Sequence, residues 1–266
     1  MKFKLLITGS SSFFGKSLIR ELKRKKISYL SLKTAEIKKN KIKKYHNISH
    51  LIHFGFRMKS FSKDLNKINM KKNIDDIKIL SSNIQKSTKL IFISTIGVYC
   101  YKNSSKIYRN TYFLSKLKCE NYLKKNFTNY LILRFPNIYG PNQKNNFLIP
   151  LILDKLKKNQ KKIKLNYFED KRDYIHINDS VKIVLNSLKI KKNLILNIFS
   201  NNVYSVYQIV EFIFKKLKIK KCKVIKLNKN SYFKNSYYLK RIINKKINLE
   251  KFTKFRDGIN FLKKKF

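Results

Sequence analysis

Three side chains in this 266-residue chain have the types and spacing for proton transfer at a carbon–oxygen bond: Thr95, Tyr112 and Lys116. In Tyr112-Phe113-Leu114-Ser115-Lys116, one helical turn puts the phenol and the ammonium on one face. A Lys cation beside a phenol favours the phenolate and draws its pKa down from about 10, which makes Tyr a competent general acid/base. The pattern alone carries little weight. With 16 Tyr and Lys at roughly one position in five, about three Tyr-x-x-x-Lys matches arise by chance, and Tyr29/Lys33, Tyr112/Lys116 and Tyr167/Lys171 are three. Position singles out Tyr112/Lys116. Upstream of it, Thr95 ends an apolar run in Phe92-Ile93-Ser94-Thr95-Ile96-Gly97-Val98-Tyr99. A hydroxyl at the C-terminal edge of a parallel strand faces the crevice where such sheets bind ligands, so the three groups are placed to converge on one carbonyl or carbinol oxygen. The other reading of Thr95 is a strand-end cap.

A second constellation opens the chain. Thr8-Gly9-Ser10-Ser11-Ser12-Phe13-Phe14-Gly15 follows an apolar strand and leads into a helix. Strand, glycine turn and helix N-terminus together form an anion site, where backbone N–H groups and the helix dipole meet a pyrophosphate. Ser12 stands where the usual Gly-x-x-Gly-x-x-Gly has its middle glycine, and it is expected to crowd that approach.

The elements that must position these residues alternate. Lys2–Thr8 reads as a buried strand, Lys16–Lys25 as an amphipathic helix and Ile27–Leu32 as a strand. Leu51–Phe54 and Leu90–Ile93 are further short strands, with a helix over Lys72–Gln85 between them. Tyr112–Lys125 reads as a helix and Tyr130–Leu133 as the next strand. Short apolar strands alternating with helices predict an α/β fold, a Rossmann-type doubly wound parallel sheet. After Pro141 the pattern loosens, with helices near Phe147–Lys157 and Val206–Lys216. The expected division is a Rossmann domain over 1–140 and a smaller C-terminal α/β substrate-binding lobe over 141–266, with segments near 172–181 and 195–199 returning to the first domain.

Composition bounds the function. There are 63 Lys+Arg against 14 Asp+Glu, a formal net charge of +49, yet 43% hydrophobic residues exclude wholesale disorder. A charge of that size invites a nucleic-acid reading. However, the lysines are spread along the whole length, and the abundant Lys, Asn, Ile, Phe and Tyr all have A/T-rich codons. Codon bias accounts for the charge, and no nucleic-acid partner is expected. The scarce residues are the informative ones: six glycines (Gly9, Gly15, Gly55, Gly97, Gly140, Gly258) and three prolines (Pro136, Pro141, Pro150). No apolar run approaches the roughly 18–20 residues needed to span a bilayer. The apolar start ends at Ile7, so a cleaved signal peptide is not expected. Cys100, Cys119 and Cys222 form neither a disulfide framework nor a metal-ligand pattern, so no metal site and a reducing, cytoplasmic setting are expected.

In these residues the chain resembles the extended short-chain dehydrogenase/reductases, the NAD-dependent epimerase/dehydratase group acting on nucleotide sugars. ITGSSSFFG resembles the dinucleotide loop, LIHFGF the strand ending in His-x-Ala-Ala, FISTIGVY the Ser/Thr-bearing strand and YFLSK the catalytic helix. LRFPNIYGP and RDYIHINDS, which the compositional bias does not favour, resemble the family's Arg-x-x-Asn-Val-Tyr-Gly-Pro and Arg-Asp-Tyr-Ile-His-Val-Asp-Asp segments. The resemblance implies that Gly9, Ser12, Phe13, Phe14, Gly15 and Gly55 cradle the cofactor. It places Tyr112 and Lys116 also on the nicotinamide ribose, and Thr95, Asn137 and Arg172 on a nucleotide-sugar substrate. For Arg172 that role is charge-assisted bonding to a diphosphate, and the alternative is an ion pair with Asp170 or Asp173. His176 is expected to be structural, and His53 a satisfied core histidine. A homodimer is expected.

Departures from the family pattern narrow the reaction. The 4,6-dehydratases carry Asp-Glu directly after the Thr, whereas Ile96 and Gly97 here move no protons, so dehydration is disfavoured. Reductases that also epimerise at C3/C5 use a cysteine at the place of Gly97. What remains is hydride exchange at a hexose carbon, C4, either as an epimerase or as a 4-ketoreductase. Lys33 stands where NAD-using members have an Asp for the adenosine 2′-hydroxyl, which leans the cofactor from NAD toward NADP. The stretch from Lys33 to His50 is also shorter than the family's, so its third strand and adenine-contacting acid are expected to be lost or degraded. Two other classes compete: a catalytically inactive cofactor-binding or scaffold protein of the same fold, and a basic nucleic-acid-binding protein.

Overall fold

The computed structural model describes residues 4–45, 47–57, 62–99, 111–166, 169–227 and 251–261. The start of the first strand at Lys2, Cys100, and Tyr167 of the third Tyr-x-x-x-Lys pair lie outside these. In chain order the strands are β1 Leu5–Thr8, β2 Tyr29–Leu32, β3 His50–His53, β4 Lys89–Thr95, β5 Tyr130–Phe135, β6 Asn137–Tyr139, β7 Lys162–Asn166, β8 Lys171–His176, β9 Leu194–Asn197, β10 Val203–Ser205 and β11 Lys223–Leu227. The helices are α1 Phe13–Arg24, α2 Lys39–Ile42, α3 Lys63–Asn83, α4 Thr111–Asn126, α5 Leu148–Lys157, α6 Ile177–Ser187, α7 Val206–Leu217 and α8 Phe255–Gly258.

The chain forms two units. The first is Met1–Phe135 with Val184–Ile198; the second is Pro136–Ile183 with Phe199–Phe266. The division therefore falls after Phe135, residues 172–181 group with the second unit, and the returning segment is Val184–Ile198.

The first unit is built on a six-stranded sheet ordered β2-β1-β3-β4-β5-β9, parallel at every pairing. Its apolar strands are buried on both faces, as a parallel sheet requires. On one face Leu6, Leu32, Leu51, Leu90, Phe92 and Ile132 meet Ile77 and Leu80 of α3 and Cys119 and Leu123 of α4. Residues one register step away point to the other face: Leu5, Ile7, Ile52 and Ile91 are fully buried, as are Leu18 and Leu22 of α1.

The chain leaves β1 for β2 on one side and returns to β3 on the other. The loops after β1 and β3 therefore part company at the switch point of the sheet, where such folds bind ligands. Residues 33–49 hold only a 3₁₀ turn at Thr34–Glu36 and the short α2, and β2 is the edge of the sheet among the described residues. Among the described residues no strand pairs beyond β2. Helix α3 begins earlier than its apolar periodicity predicts because Ser62 caps it, its Oγ accepting from Leu65 N at 3.3 Å.

The second unit holds more strand than its loosened pattern foretells. β6 and β8 pair in parallel and β8 and β10 antiparallel, while β7 and β11 form a separate parallel pair. Its core gathers Tyr139, Ile152, Ile163, Tyr174, Ile209 and Phe255. α5 and α7 lie where the sequence places them.

Candidate functional site

The loop after β1 is held by absences of side chains. Gly9 sits at φ +78°, and a Cβ there would lie 2.2 Å from Gly55 N; a Cβ on Gly15 would lie 2.4 Å from Gly9 O. Gly9 and Gly15 are thus held in place by backbone, while a Cβ on Gly55 would meet the Thr34 hydroxyl at 2.8 Å. Ser12 does not crowd this approach as its position predicts. It is the N-cap of α1, and its Oγ turns back to accept from Gly15 N at 3.0 Å. Gly15 N and Lys16 N are taken up by Ser12, which leaves the N–H groups of Phe13 and Phe14 as the first-turn donors of the helix. The Phe14 ring is core, packed 4.7 Å from Phe54 and 5.2 Å from Phe135 between centroids, so only the backbone of Phe14 faces the loop. A positive helix end with two N–H donors beside an interlocked glycine pair fits the pyrophosphate of a dinucleotide. Lys33 is exposed after β2, and its backbone N–H donates to Glu36 Oε2 at 2.7 Å. Glu36, which the sequence reading did not single out, pairs in turn with Lys41 at 2.7 Å.

At the other side of the switch point, β4 delivers Thr95 and α4 delivers Tyr112 and Lys116. All three belong to the first unit. Thr95 Oγ1 accepts from Gly97 N at 3.1 Å, so it closes the turn after the strand. Tyr112 is half-buried, with Phe56 edge-on at 5.5 Å. Lys116 is buried; its Nζ donates to Ile93 O at 2.6 Å and lies 3.7 Å from the Phe56 ring centroid and 4.6 Å from that of Phe92. The ammonium stands 6.0 Å from the Tyr112 ring centroid.

The electrostatics differ from the sequence expectation. Burial pushes the Tyr112 phenol up to about 12 and draws Lys116 down to about 7, opposed in the latter by Cys119 and Glu120. The Lys116 ammonium meets a backbone carbonyl and the faces of Phe56 and Phe92 more closely than it meets the Tyr112 ring. A Tyr112 that holds its proton is equipped as a donor toward a developing alkoxide.

His53 is fully buried, with Nδ1 2.7 Å from Thr8 Oγ1 and its ring stacked 5.8 Å from Phe92. Its Nε2 has no hydrogen-bond partner among the described residues. Burial, then the Lys116 and Arg57 charges, hold it down to about 3, so it is neutral and moves no proton. Gly97 lies under Phe113: a Cβ there would meet the ring at 2.3 Å. The place after Thr95 that could hold a further acid or base is thus filled by an aromatic edge.

Beneath this cluster is a network the sequence reading missed. Glu120 is fully buried, accepts from Ser94 Oγ at 2.5 Å, and pairs with Arg134 Nη2 at 2.5 Å. Arg134 Nη1 donates to Tyr99 OH at 2.7 Å, and Tyr99 OH to Asn197 Oδ1 at 3.1 Å. Its signal was available: Glu120 follows Tyr112 and Lys116 at four-residue steps, a rare acid in a basic chain.

Asn137 and Arg172 belong to the second unit, on the adjacent strands β6 and β8. Asn137 Nδ2 donates to Asp173 O at 3.3 Å, one residue from Arg172 on the neighbouring strand. Arg172 lies 3.5 Å from Asp170, so the ion-pair alternative is realised, and its side chain keeps 25% exposure. Asp173 is instead tied to Ser200 N, Ser200 Oγ and Asn202 N. His176 ends β8 with Nδ1 accepting from Asn178 N at 3.3 Å and its ring edge-on to Tyr139. Among the described residues no group of His, Cys, Asp and Glu could hold a metal ion. Nor is any helix of theirs long and apolar enough to cross a membrane.

A family model described as the NAD dependent epimerase/dehydratase family matches residues 5–198. The GDP-6-deoxy-D-talose 4-dehydrogenase of Aggregatibacter actinomycetemcomitans is 30% identical over 145 residues, 51% of this chain; that match spans about half (49%) of the relative's length. The dTDP-4-dehydro-6-deoxyglucose reductase of Escherichia coli is 28% identical over 263 residues, covering 81% of this chain and 82% of the relative. The UDP-glucose 4-epimerase structure of Thermotoga maritima with UDP-glucose shares the fold, with a TM-score of 0.76 at 17% identity over 99% of each chain. Other structures of this fold hold NAD or NADPH.

Proposed function

The chain belongs to the NAD dependent epimerase/dehydratase family, and from that premise we propose that it is a nucleotide-sugar 4-ketoreductase in which Tyr112 acts as the general acid/base. The observation that carries this reading is the arrangement at the end of β4: Thr95 and Tyr112 are present, while Ile96 and the Phe113-covered Gly97 offer no second proton carrier. That favours hydride exchange over loss of water. The relatives named for a 4-dehydrogenase and for a reductase of a 4-dehydro sugar support the same class.

The cofactor, NAD or NADP, supplies or accepts the hydride when bound. Gly9, Gly15 and Gly55 with the Phe13 and Phe14 N–H groups hold its pyrophosphate, and Lys33 reaches a 2′-phosphate where NADP is used. Tyr112 gives its proton to the sugar oxygen, and Thr95 orients that oxygen. Lys116 fixes the Tyr112 side of the helix and adds positive potential when protonated. Asn137 and Arg172 bind the nucleotide diphosphate.

The test is turnover of a nucleotide-linked 4-keto-6-deoxyhexose with NADPH or NADH by the purified chain, against Tyr112→Phe. The expected result is a loss of about 10²–10⁴-fold with cofactor affinity kept. Normal turnover in Tyr112→Phe overturns the assignment. Epimerisation is the second outcome, favoured if the purified protein retains NAD tightly and interconverts two nucleotide sugars without net oxidation.

A further inference from the structure

Glu120 lies two helical turns after Tyr112 and one after Lys116, on the same face of α4. Its carboxylate is the meeting point of two strands. Ser94 and Arg134 are register partners across β4 and β5, so their side chains leave the same face of the sheet. Ser94 Oγ donates to Glu120 Oε1 at 2.5 Å; Arg134 Nε reaches Oε1 at 3.1 Å and Oε2 at 3.2 Å. Ser94 stands between Ile93, whose carbonyl takes the Lys116 ammonium, and Thr95. The strand that carries Thr95 and the helix that carries Tyr112 are thus joined at two adjacent points, one through Lys116 and one through Glu120. Arg134 continues the tie through Tyr99 to Asn197.

The geometry points to Glu120 as a positioning residue: its one carboxylate, held by Ser94 and Arg134, seats the Tyr112–Lys116 helix against the Thr95 strand, one helical turn beyond Lys116. This rests on the reading of Tyr112 and Lys116 as the acid/base pair.

The other groups around Lys116 leave Glu120 as its acidic neighbour along the helix. Cys119, its helix neighbour, is a thiol that burial pushes up to about 12, so it is neutral near pH 7. His53 of β3 is neutral, and Asp76 of α3 is bound to Arg57. Tyr112 holds its proton, and Arg134 of β5 is cationic and bound to Glu120.

The experiment follows the Lys116 side chain in the whole chain by ¹³Cε-lysine NMR across pH 5–10. The Lys116 signal, expected near pH 7, is assigned by its loss in Lys116→Arg. In Glu120→Gln the Lys116 midpoint is expected to fall by about one unit, and the basic limb of the kcat profile to fall with it. KM for the cofactor stays within about twofold, since the glycine cradle is untouched. A purely structural role would scale the whole profile and leave the midpoint in place, and an unmoved midpoint in folded Glu120→Gln overturns the proposal. Where Glu120→Gln does not fold, Ser94→Ala removes one hydrogen bond and no charge. A shifted Lys116 titration with kcat down several-fold supports the proposal, and native values for both overturn it. If the native chain turns over no nucleotide sugar, the functional reading fails alone, because the Lys116 midpoint still decides what Glu120 does.

Discussion

The two sides of the switch point are built from opposite materials. The loop after β1 is made of backbone and of missing side chains: Gly9 and Gly15 meet backbone atoms at distances no Cβ tolerates. The cluster at the end of β4 is made of side chains, and burial sets their proton affinities. The first side should fail abruptly, on volume and backbone angle. The second should fail by degrees, on charge and pH.

Variants can break that contrast. The largest effect is expected from Gly9→Val, which sets a branched side chain at φ +78° against Gly55 N. The strain is about 3 kcal/mol or more, so both thermal stability and cofactor binding should collapse together. A stable Gly9→Val that binds cofactor would show that the interlock is not what holds the loop. Tyr112→Phe comes next: turnover lost, with the melting temperature and cofactor titration close to native.

The pH dependence is smaller and has a fixed sign. His53 is held at about 3 in the fold against 6.5 unfolded, so the unfolded chain binds more protons between these values. Stability should therefore rise from pH 3 to pH 6.5, by roughly a few kcal/mol from this group, and His53→Gln should flatten that limb. Lys116 works in another window. Its folded value of about 7 lies below 10.5, so its burial cost is fully present below pH 7 and fades as pH rises to 10.5. The stability gained by Lys116→Met should accordingly shrink between pH 7 and pH 10 in paired denaturant melts. A gap independent of pH would place Lys116 outside the buried regime.

The smallest effect sharpens the contrast at one residue. Gly97 belongs to the side-chain cluster but is held like the glycines of the loop, beneath Phe113. Because the obstacle is a ring rather than backbone, Gly97→Ala should cost only about 1–2 kcal/mol, and Phe113→Leu added to it should recover most of that. Simple additivity of the two changes would remove the contact from the account.

Most of the first unit was legible because its signals are local: five short apolar strands, a glycine turn and a helix-spaced Tyr–Lys pair. The loss of the family's third strand was legible from the shortness of the stretch from Lys33 to His50 against the family pattern. Three things were not. The proton affinities of Tyr112 and Lys116 depend on what surrounds Lys116, namely Ile93 O, Phe56 and Phe92, which come from other parts of the chain. The turn of the Ser12 hydroxyl onto Gly15 N is a capping geometry that a motif position does not convey. The Glu120–Arg134 pair joins residues whose facing is decided by strand register, and register is a tertiary fact. In the second unit, β6, β8 and β10 are short pieces of three to six residues whose pairing no local periodicity announces.

The lost third strand has a cost at the rim. β2 ends the sheet among the described residues, and the outward N–H and C=O groups of such a strand are a template on which another chain's strand can add. The edge is short, only Tyr29–Leu32, with Lys25, Lys26 and Lys33 close by in sequence. Charge repulsion between like edges hinders their stacking. The lysine excess, however it arose, therefore also guards an opened sheet against self-association, and replacing Lys25 and Lys26 together with neutral residues should make the protein prone to aggregate while leaving its chemistry intact.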